Sequence, residues 1–210
     1  MSESGAVEQI TVYSDYVCPF CYLGRQSLTR YQERREEPLR VDWHPFDLRA
    51  NKRGPDSEID EDADDGKSEA YYEQARENVH RLQAEYGVEM ADDLRTDVDS
   101  LPAQVAAVAV REEGGYDAWL AFDEAVFEAL WVEGRDIGDH DVLVDVASEA
   151  GVDTGTVREA IGDEERRAQV REQFRAASQR GVTGVPTFVY GEHAARGAVP
   201  PEHLERLVEG

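Results

Sequence analysis

The chain is short of cysteine, lysine and long apolar runs. It has two cysteines among its 210 residues, and Lys52 and Lys67 are the two lysines among its 22 basic residues. No apolar run approaches the roughly 20 residues that a membrane-spanning helix needs, and residues 1–5 lack the basic and apolar regions of a secretory signal. We therefore expect a protein of the cytoplasm that does not contact membranes.

Positive charge is also scarce. The chain carries 46 acidic against 22 basic residues, which gives a formal net charge of −24. Because such a surface repels polyanions, nucleic acid and anionic lipid are excluded as partners. The self-repulsion is easiest to reconcile with high ionic strength, where the Debye length falls to about 3 Å at 1 M salt. The composition therefore predicts a halophilic cytoplasm, with an acidic surface kept for solubility at ordinary salt as the alternative.

The two cysteines lie close together, with two residues between Cys18 and Cys21. Before them, the β-branched and aromatic run 10–13 is typical of a strand. After them, residues 22–31 have the apolar spacing of an amphipathic helix. The cysteines are therefore predicted to open a helix.

Cysteines at the start of a helix have a distinct chemistry. Cys18 is predicted to be the N-cap residue and Pro19 the first helical residue, where its missing N–H costs nothing. The amides of Phe20 and Cys21 would then point at the Cys18 sulfur. Together with the helix dipole they would lower the pKa of that thiol below its usual value of about 8.5. Cys18 is thus the predicted nucleophile, exposed to substrate, and Cys21, one turn further on and nearer the buried side, is the predicted resolving cysteine.

Two other uses of a cysteine pair compete with this one. A zinc site needs about four ligands, but the chain has no second cysteine pair and its five histidines are scattered along the sequence. A structural disulfide across two intervening residues would constrain little of the unfolded chain. In a reducing compartment such a pair is more often catalytic. We therefore predict no metal and no cofactor beyond a redox-active Cys18–Cys21 pair, which an external thiol or a reductase could recycle.

A second pattern occupies residues 181–191, where Pro186 heads a short apolar strand. In the cis form, a proline beside a redox site lets the preceding residue, here Val185, turn its backbone N–H and C=O toward a substrate. A trans proline that opens a strand is the alternative. Substrate contacts are predicted for Pro19, Phe20, Val185 and Pro186.

Three segments together resemble a known family. Residues 18–24 (CPFCYLG), residues 126–131 (VFEALW) leading to 133–137 (EGRDI), and residues 181–188 (GVTGVPTF) resemble the FrnE-type branch of the DsbA-like thioredoxin superfamily, in the same order. The resemblance spans nearly the whole chain. It implies a thioredoxin fold interrupted by a helical domain, a nucleophilic first cysteine, a resolving second cysteine and a cis-proline at Pro186.

The chain departs from that resemblance in two places. Many thioredoxin-like enzymes hold a buried carboxylate beneath the cysteine pair, whereas the strand before this motif is apolar at Ile10 and Val12. Asp15 is the nearest acid; as a proton relay it would act as a base or through its charge, and the alternative is a solvated or capping aspartate. At residues 100–104 (SLPAQ) the resemblance leads us to expect an Asn- and His-containing helix start, so no role of a histidine is carried over.

Apolar spacing predicts the remaining elements. Helices are expected near residues 71–86, 102–109, 119–131, 140–150, 157–161, 170–177 and 201–208, and strands near 39–46, 187–190 and 194–197. The acidic, turn-rich residues 51–69 are predicted to form a mobile surface loop. The fold class is α/β: a thioredoxin-like domain from residues 1–50 and 164–210, an inserted α-helical domain from residues 51–163, and a substrate groove between the two.

The sequence thus predicts a thiol-disulfide oxidoreductase of the DsbA-like class, acting on proteins or small molecules that carry thiols or disulfides. The second hypothesis is a glutathione-dependent isomerase or transferase of the same fold, in which one Ser or Cys at the helix start activates a bound thiol. The paired Cys21 argues against it. A third is a non-catalytic peptide-binding or chaperone protein that uses the same groove.

Overall fold

The computed structural model describes residues 7–54, 58–60, 62–92, 94–95 and 97–210. The helices and strands follow in the order β1 (Glu8–Ser14), α1 (Pro19–Arg34), β2 (Leu39–Pro45), α2 (Glu69–Tyr86), α3 (Leu101–Trp131), α4 (His140–Glu149), α5 (Thr154–Gly162), α6 (Glu164–Gln179), β3 (Thr187–Tyr190), β4 (His193–Arg196) and α7 (Pro201–Glu209).

The four strands form one mixed sheet in the order β2–β1–β3–β4. β1 pairs in parallel with β2, and β3 pairs antiparallel with both β1 and β4. In this register Val12 lies opposite Trp43 on one side and Phe188 on the other, and all three are buried. Strands from the two ends of the chain therefore pair across a helical middle, as the sequence predicts.

Helix α1 connects two parallel neighbours, a connection that requires a crossover. Because β1 and β2 run in the same direction, their carboxyl ends meet at one edge of the sheet, where Ser14 lies opposite Pro45. Asp15, which follows β1, and Asp47, two residues after the end of β2, are consequently brought close enough for their charges to interact. This edge carries the candidate site.

The long helix α3 contains the two helices that the sequence predicts near residues 102–109 and 119–131. Between them Gly115 adopts φ 83° and ψ −172°, a conformation outside the helical region. Because a residue with a Cβ rarely takes such a positive φ, glycine is suited to this joint. The predicted helices are confirmed, but the sequence did not indicate how directly one leads into the other.

The aromatic residues of α3 form the centre of the main core. Trp119, Phe127 and Trp131 are at most 2% exposed. The Trp119 ring packs on Trp43 of β2, and Phe127 makes an edge contact with Tyr16, which follows β1. Burial of such large apolar side chains is the main favourable term in folding. It fixes α3 against the sheet, directly behind the cysteine helix.

The start of the acidic segment 51–69 is tied to the fold. Arg53, with 7% of its side chain exposed, pairs with Asp47 at 2.8 Å and with Asp99 at 2.9 Å. The prediction of a mobile loop is wrong for this part, because it considered the acidic charge and the turn residues but not the cation that compensates them. Residues 55–57 and 61 lie outside the described residues.

No helix in the described part of the chain has the length and apolar character that crossing a membrane requires. The division into a thioredoxin-like domain (1–50 and 164–210) and an inserted domain (51–163) stays a prediction. Residues 1–6 of the first segment lie outside the description.

Candidate active site around Cys18 and Cys21

A tight turn connects β1 to α1. The Cys18 amide donates a hydrogen bond to the Asp15 carbonyl at 3.1 Å, and the Val17 amide donates to the Asp15 side-chain Oδ1 at 3.3 Å. An aspartate at the first position of a turn favours both contacts. Cys18 then becomes the N-cap residue of α1, with Pro19 at the first helical position, as predicted.

The surroundings of the Cys18 sulfur differ from the prediction. Its side chain makes no capping hydrogen bond, and the Cys21 amide donates instead to the Cys18 carbonyl oxygen at 2.9 Å. The Cys18 thiol donates to the Val185 carbonyl oxygen at 3.6 Å. Cys18 is only 3% exposed, so the expectation of an exposed nucleophile is wrong. The loop that carries Val185 contacts this sulfur directly, which local sequence could not reveal.

Cys21 lies one helical turn further on and is 2% exposed, on the buried side as predicted. Both cysteines are free thiols. Burial raises the pKa of the Cys21 thiol well above its usual value, and a hydrogen bond with Cys18 raises it further. Cys21 is therefore a protonated thiol beside the Cys18 sulfur and needs a base before it can attack.

The loop before β3 contacts the cysteine helix closely. The Val185–Pro186 peptide bond is cis, as predicted, and Pro186 is buried while Val185 is half-buried. A Cβ built on Gly24 of α1 would lie 3.1 Å from the Pro186 ring and 3.1 Å from the Phe188 ring. Glycine suits this position because a Cβ would press against two rings that are both buried. In the sequence, Gly24 stands out only as the last residue of the CPFCYLG motif.

The other two residues of the motif lie at the rim of the site. Pro19 and Phe20 are half-buried, and Phe20 packs against the main core. Together with Val185 they leave partly accessible surface next to a buried sulfur. A substrate that approaches Cys18 would meet these three side chains first.

Asp15 is 1% exposed. Its Oδ2 accepts from the Leu48 amide at 2.8 Å. Burial and the neighbouring Asp47 carboxylate raise the pKa of Asp15 to about 7, although hydrogen bonds from Ser100, Leu48 and Val17 favour the charged form. The alternative of a solvated aspartate is wrong, because the loop after β2 and the start of α3 cover the carboxyl group.

Asp15 also lies beside Cys21. The Asp15 amide hydrogen-bonds the Cys21 sulfur and favours its thiolate, whereas the charge of the Asp15 carboxylate disfavours it. A carboxyl group that changes protonation near pH 7, and whose charge acts on a buried thiol, has the properties of a proton acceptor and donor.

Two residues at the start of α3, Gln104 within the helix and its N-cap residue Ser100, complete this polar cluster and were not identified from the sequence. Gln104, which is fully buried, donates from Nε2 to Asp15 Oδ1 at 3.2 Å, and Ser100 lies 3.0 Å from the same nitrogen. A signal was available in the sequence, because both lie in residues 100–104, where the family resemblance leads one to expect an Asn- and His-containing helix start.

A second buried polar cluster also lies next to Cys21. Arg25 Nε donates to Asp123 Oδ2 at 3.1 Å, and Tyr16 donates its hydroxyl to Asp123 Oδ1 at 3.1 Å. Burial raises the pKa of Asp123 while Arg25 lowers it. Cys21, Arg25 and Asp123 line one small cavity of about 10 Å³. The spacing of four residues between Cys21 and Arg25 places both on one helix face, the signal that could have identified Arg25.

Comparison with known proteins gives these features a context. The sequence profile of the family described as DSBA-like thioredoxin domain matches residues 9–209. Among curated proteins, the uncharacterized protein YwbO of Bacillus subtilis (strain 168) is 27% identical over 201 residues, which cover 95% of this chain and 94% of YwbO.

Solved structures with a similar fold include a probable DsbA oxidoreductase from Streptomyces coelicolor, with a TM-score of 0.75, 23% identity, and coverage of 94% of this chain and 87% of that one. A 2-hydroxychromene-2-carboxylate isomerase has a TM-score of 0.74 at 21% identity, with 94% and 93% covered. The cytosolic disulfide reductase DsbM from Pseudomonas aeruginosa, in its structure with GSH, has a TM-score of 0.62 at 20% identity, with 89% and 88% covered.

At these identities the structural likeness concerns the fold, and it confirms the predicted thioredoxin-like α/β architecture with a helical insertion. The profile match extends over nearly the whole chain and includes the cysteine helix, the buried carboxyl group and the cis-proline loop. The protein therefore belongs to the DSBA-like thioredoxin domain family.

Proposed function

We propose that this protein is a thiol-disulfide oxidoreductase that uses Cys18 as nucleophile and Cys21 as resolving cysteine. The observation that carries the proposal is the grouping of two free thiols with the Val185 carbonyl, which accepts from Cys18, and with the buried Asp15 carboxyl group, whose charge acts on Cys21. Substrates are proteins or small molecules with thiols or disulfides, and the FrnE-type branch of the family is the proposed placement.

The reaction in the reducing direction has two exchange steps. The Cys18 thiolate attacks one sulfur of a substrate disulfide, forms a mixed disulfide and releases the other sulfur as a thiolate, which takes a proton from solvent. Cys21 then gives its proton to Asp15 and attacks the Cys18 sulfur. The substrate's second sulfur leaves as a thiolate, so the substrate gains two electrons and the cysteine pair becomes a disulfide.

An external thiol or a reductase returns the pair to the dithiol and closes the cycle. The same steps run in reverse when the oxidised pair oxidises a dithiol substrate. For an extended peptide, the half-buried Val185 offers a backbone next to Cys18 on which a substrate strand can pair, while Pro19 and Phe20 contact its side chains. The proposed compartment is the cytoplasm, where a reducing thiol pool is available.

A glutathione-dependent isomerase is the second hypothesis, and a 2-hydroxychromene-2-carboxylate isomerase shares the fold. That chemistry needs one activating residue at the helix start, so a second thiol in contact with the first has no use in it. The position of Cys21 beside Cys18 favours the redox function.

The first prediction distinguishes the two cysteines. Cys21→Ser is expected to accumulate a mixed disulfide through Cys18, because nothing remains to resolve it, whereas Cys18→Ser accumulates none. Incubation with a disulfide-bonded peptide followed by intact-protein mass spectrometry measures the adduct. Insulin reduction and refolding of a scrambled-disulfide protein, both at high salt, then separate reductase from isomerase activity.

The double variant Cys18→Ser/Cys21→Ser is the control, and it should show neither adduct nor turnover. Equal trapping by the two single variants would contradict the assigned roles. Peptide binding that persists in the double variant, with no turnover in the unmodified protein, would favour the chaperone hypothesis instead.

A second prediction concerns the proposed halophilic cytoplasm. Molar KCl is expected to raise the thermal unfolding midpoint at pH 7 by more than about 5 °C, or about 2 kcal/mol for a chain of this size, because salt screens the repulsion among the carboxylates. Circular dichroism melts at low and molar KCl measure it. Near the sequence pI of 4.4 the same salt change should have little effect, and a midpoint at pH 7 that does not rise would refute the halophilic proposal.

A further inference from the structure

The Gln104 side chain is held in a single orientation. Its Nε2, which carries two hydrogens, lies within hydrogen-bond distance of three acceptors, namely Asp15 Oδ1 at 3.2 Å, the Phe46 carbonyl at 3.1 Å and Ser100 Oγ at 3.0 Å. If the amide were turned over, its oxygen would face the Phe46 carbonyl, so two acceptors would oppose each other. The nitrogen therefore stays toward Asp15.

This orientation leaves a polar atom without compensation. Within the described residues, Gln104 Oε1 is buried and has no hydrogen-bond partner. An unsatisfied buried acceptor costs free energy, and the contacts made by Nε2 offset that cost. Gln104 thus leaves its oxygen without a hydrogen bond while its N–H group donates to the Asp15 carboxyl group.

The donor acts on one protonation state. An N–H donor stabilises a carboxylate more than a carboxylic acid, and an amide neither gains nor loses a proton in the physiological range. The Ser100 hydroxyl acts in the same direction on Asp15, and the Asp47 carboxylate acts in the opposite direction.

The charged and titratable groups around Asp15 come from three parts of the fold. Cys18 and Cys21 lie at the start of α1, Asp47 follows β2, and Asp99 precedes α3. Arg53 pairs with both Asp47 and Asp99. Tyr16, in the turn that leads into α1, is also titratable and is affected by the Asp15 charge. The hydrogen-bond donors to the carboxyl group are neutral, and Gln104 and Ser100 supply the side-chain ones.

We propose that Gln104, together with Ser100, is a positioning residue that holds the Asp15 carboxylate beside Cys21 and favours its ionised form. The start of α3 thereby sets the pH range in which the resolving thiol is deprotonated. This inference rests on the proposed oxidoreductase function for its consequence, but the effect on Asp15 is a property of the folded chain alone.

The test replaces the donor and follows Asp15 directly. In Gln104→Met, which keeps the length of the side chain, the midpoint of the Asp15 titration is expected to rise by about one pH unit, or about 1.4 kcal/mol. Carbon-13 NMR of labelled aspartate carboxyl groups, assigned with Asp15→Asn, measures the midpoint. At pH 7 the ionised fraction, and with it the rate of product release from the mixed disulfide, should fall about fivefold.

Gln32→Met is the matched control. Gln32 also donates from Nε2 to a backbone carbonyl, that of Leu39 at 2.6 Å, but it lies at the far end of α1. This variant should lose stability without moving the Asp15 midpoint. Ser100→Ala provides a milder variant should Gln104→Met fail to fold, since the Ser100 side chain caps no helix amide; a smaller rise is expected.

The outcomes separate the two proposals. An Asp15 midpoint that is unchanged or lower in these variants overturns the positioning role, whatever the activity. A raised midpoint in a protein without thiol-disulfide exchange upholds the positioning role and contradicts the proposed function. A raised midpoint with a pH–rate profile displaced by the same amount supports both.

Discussion

Replacing Asp15 with asparagine is expected to raise the free energy of unfolding at pH 8 by about 3 kcal/mol. Burial raises the pKa of this carboxyl from 3.8 to about 7. At 1.36 kcal/mol for each pKa unit, the penalty for ionising it in the folded state reaches about 4 kcal/mol. Asparagine carries no charge and avoids this penalty, but its single oxygen cannot accept from both the Val17 and Leu48 amides, which reduces the gain.

The pH window follows from the direction of the shift. An acid whose pKa is raised in the folded state stabilises the fold below its unfolded pKa, and that contribution is lost as the pH rises to the folded pKa. The difference between Asp15→Asn and the unmodified protein should therefore be smallest near pH 4, grow up to about pH 7 and stay constant above it.

Urea unfolding at several pH values and constant high salt measures this effect. Asp117→Asn is the control, because Asp117 is exposed and its replacement should change stability by less than about 0.5 kcal/mol. An Asp15→Asn protein that is less stable than the unmodified protein at pH 8 would show that the carboxylate is stabilised by its neighbours. The gain in stability should come with slower release of product from the mixed disulfide, because asparagine accepts no proton from Cys21.

Replacing Asp123 with alanine is expected to destabilise the protein by about 3–5 kcal/mol, the usual cost of leaving a buried charge without its partner. Arg25 and Asp123 have side-chain exposures of 7% and 2%, so solvent cannot replace the lost carboxylate. The other carboxylate on Arg25, that of the half-exposed Glu124, lies 3.5 Å from Nη2 and compensates only part of the buried charge. Burial raises the pKa of the Tyr16 hydroxyl well above its usual value, so this group keeps its proton. In Asp123→Ala it also loses the carboxylate oxygen to which it donates.

An exposed ion pair serves as the comparison. Glu85 pairs with Arg81 on the surface of α2, with more than half of each side chain exposed, and Glu85→Ala should cost less than about 0.5 kcal/mol. The double variant Arg25→Met/Asp123→Leu should recover most of the loss, since apolar residues of similar volume remove both charges. A cost below about 1 kcal/mol for Asp123→Ala would mean that Arg25 finds water or another partner.

The helix start at the cysteine pair could be predicted because capping is local. Cys18 takes the N-cap position and Pro19 the first helical position, for reasons contained in residues that are neighbours in sequence. The same holds for the end of α2 at Gly87, which adopts a left-handed conformation. In each case the deciding interactions span four residues or fewer.

The direction in which the Cys18 sulfur points is not determined by residues nearby in the sequence. It donates to the Val185 carbonyl, 167 residues away in the sequence, and the loop that makes this contact also buries the thiol. The family resemblance implied the cis bond at Pro186, but the close packing of its ring against Gly24 required the folded chain. Spacing and capping describe a helix end, and they do not describe what is packed upon it.

The sequence by itself determined the order of helices and strands, the pair of cysteines at a helix start and the acidic character of the surface. Only the tertiary structure decided which polar groups surround that pair. Gln104 meets Asp15 across 89 residues, and Arg25 meets Asp123 across 98. The protonation of a carboxyl group depends on its burial and on the charges and donors within a few ångströms. Those neighbours come from distant parts of the chain, and periodicity and capping contain no information about them.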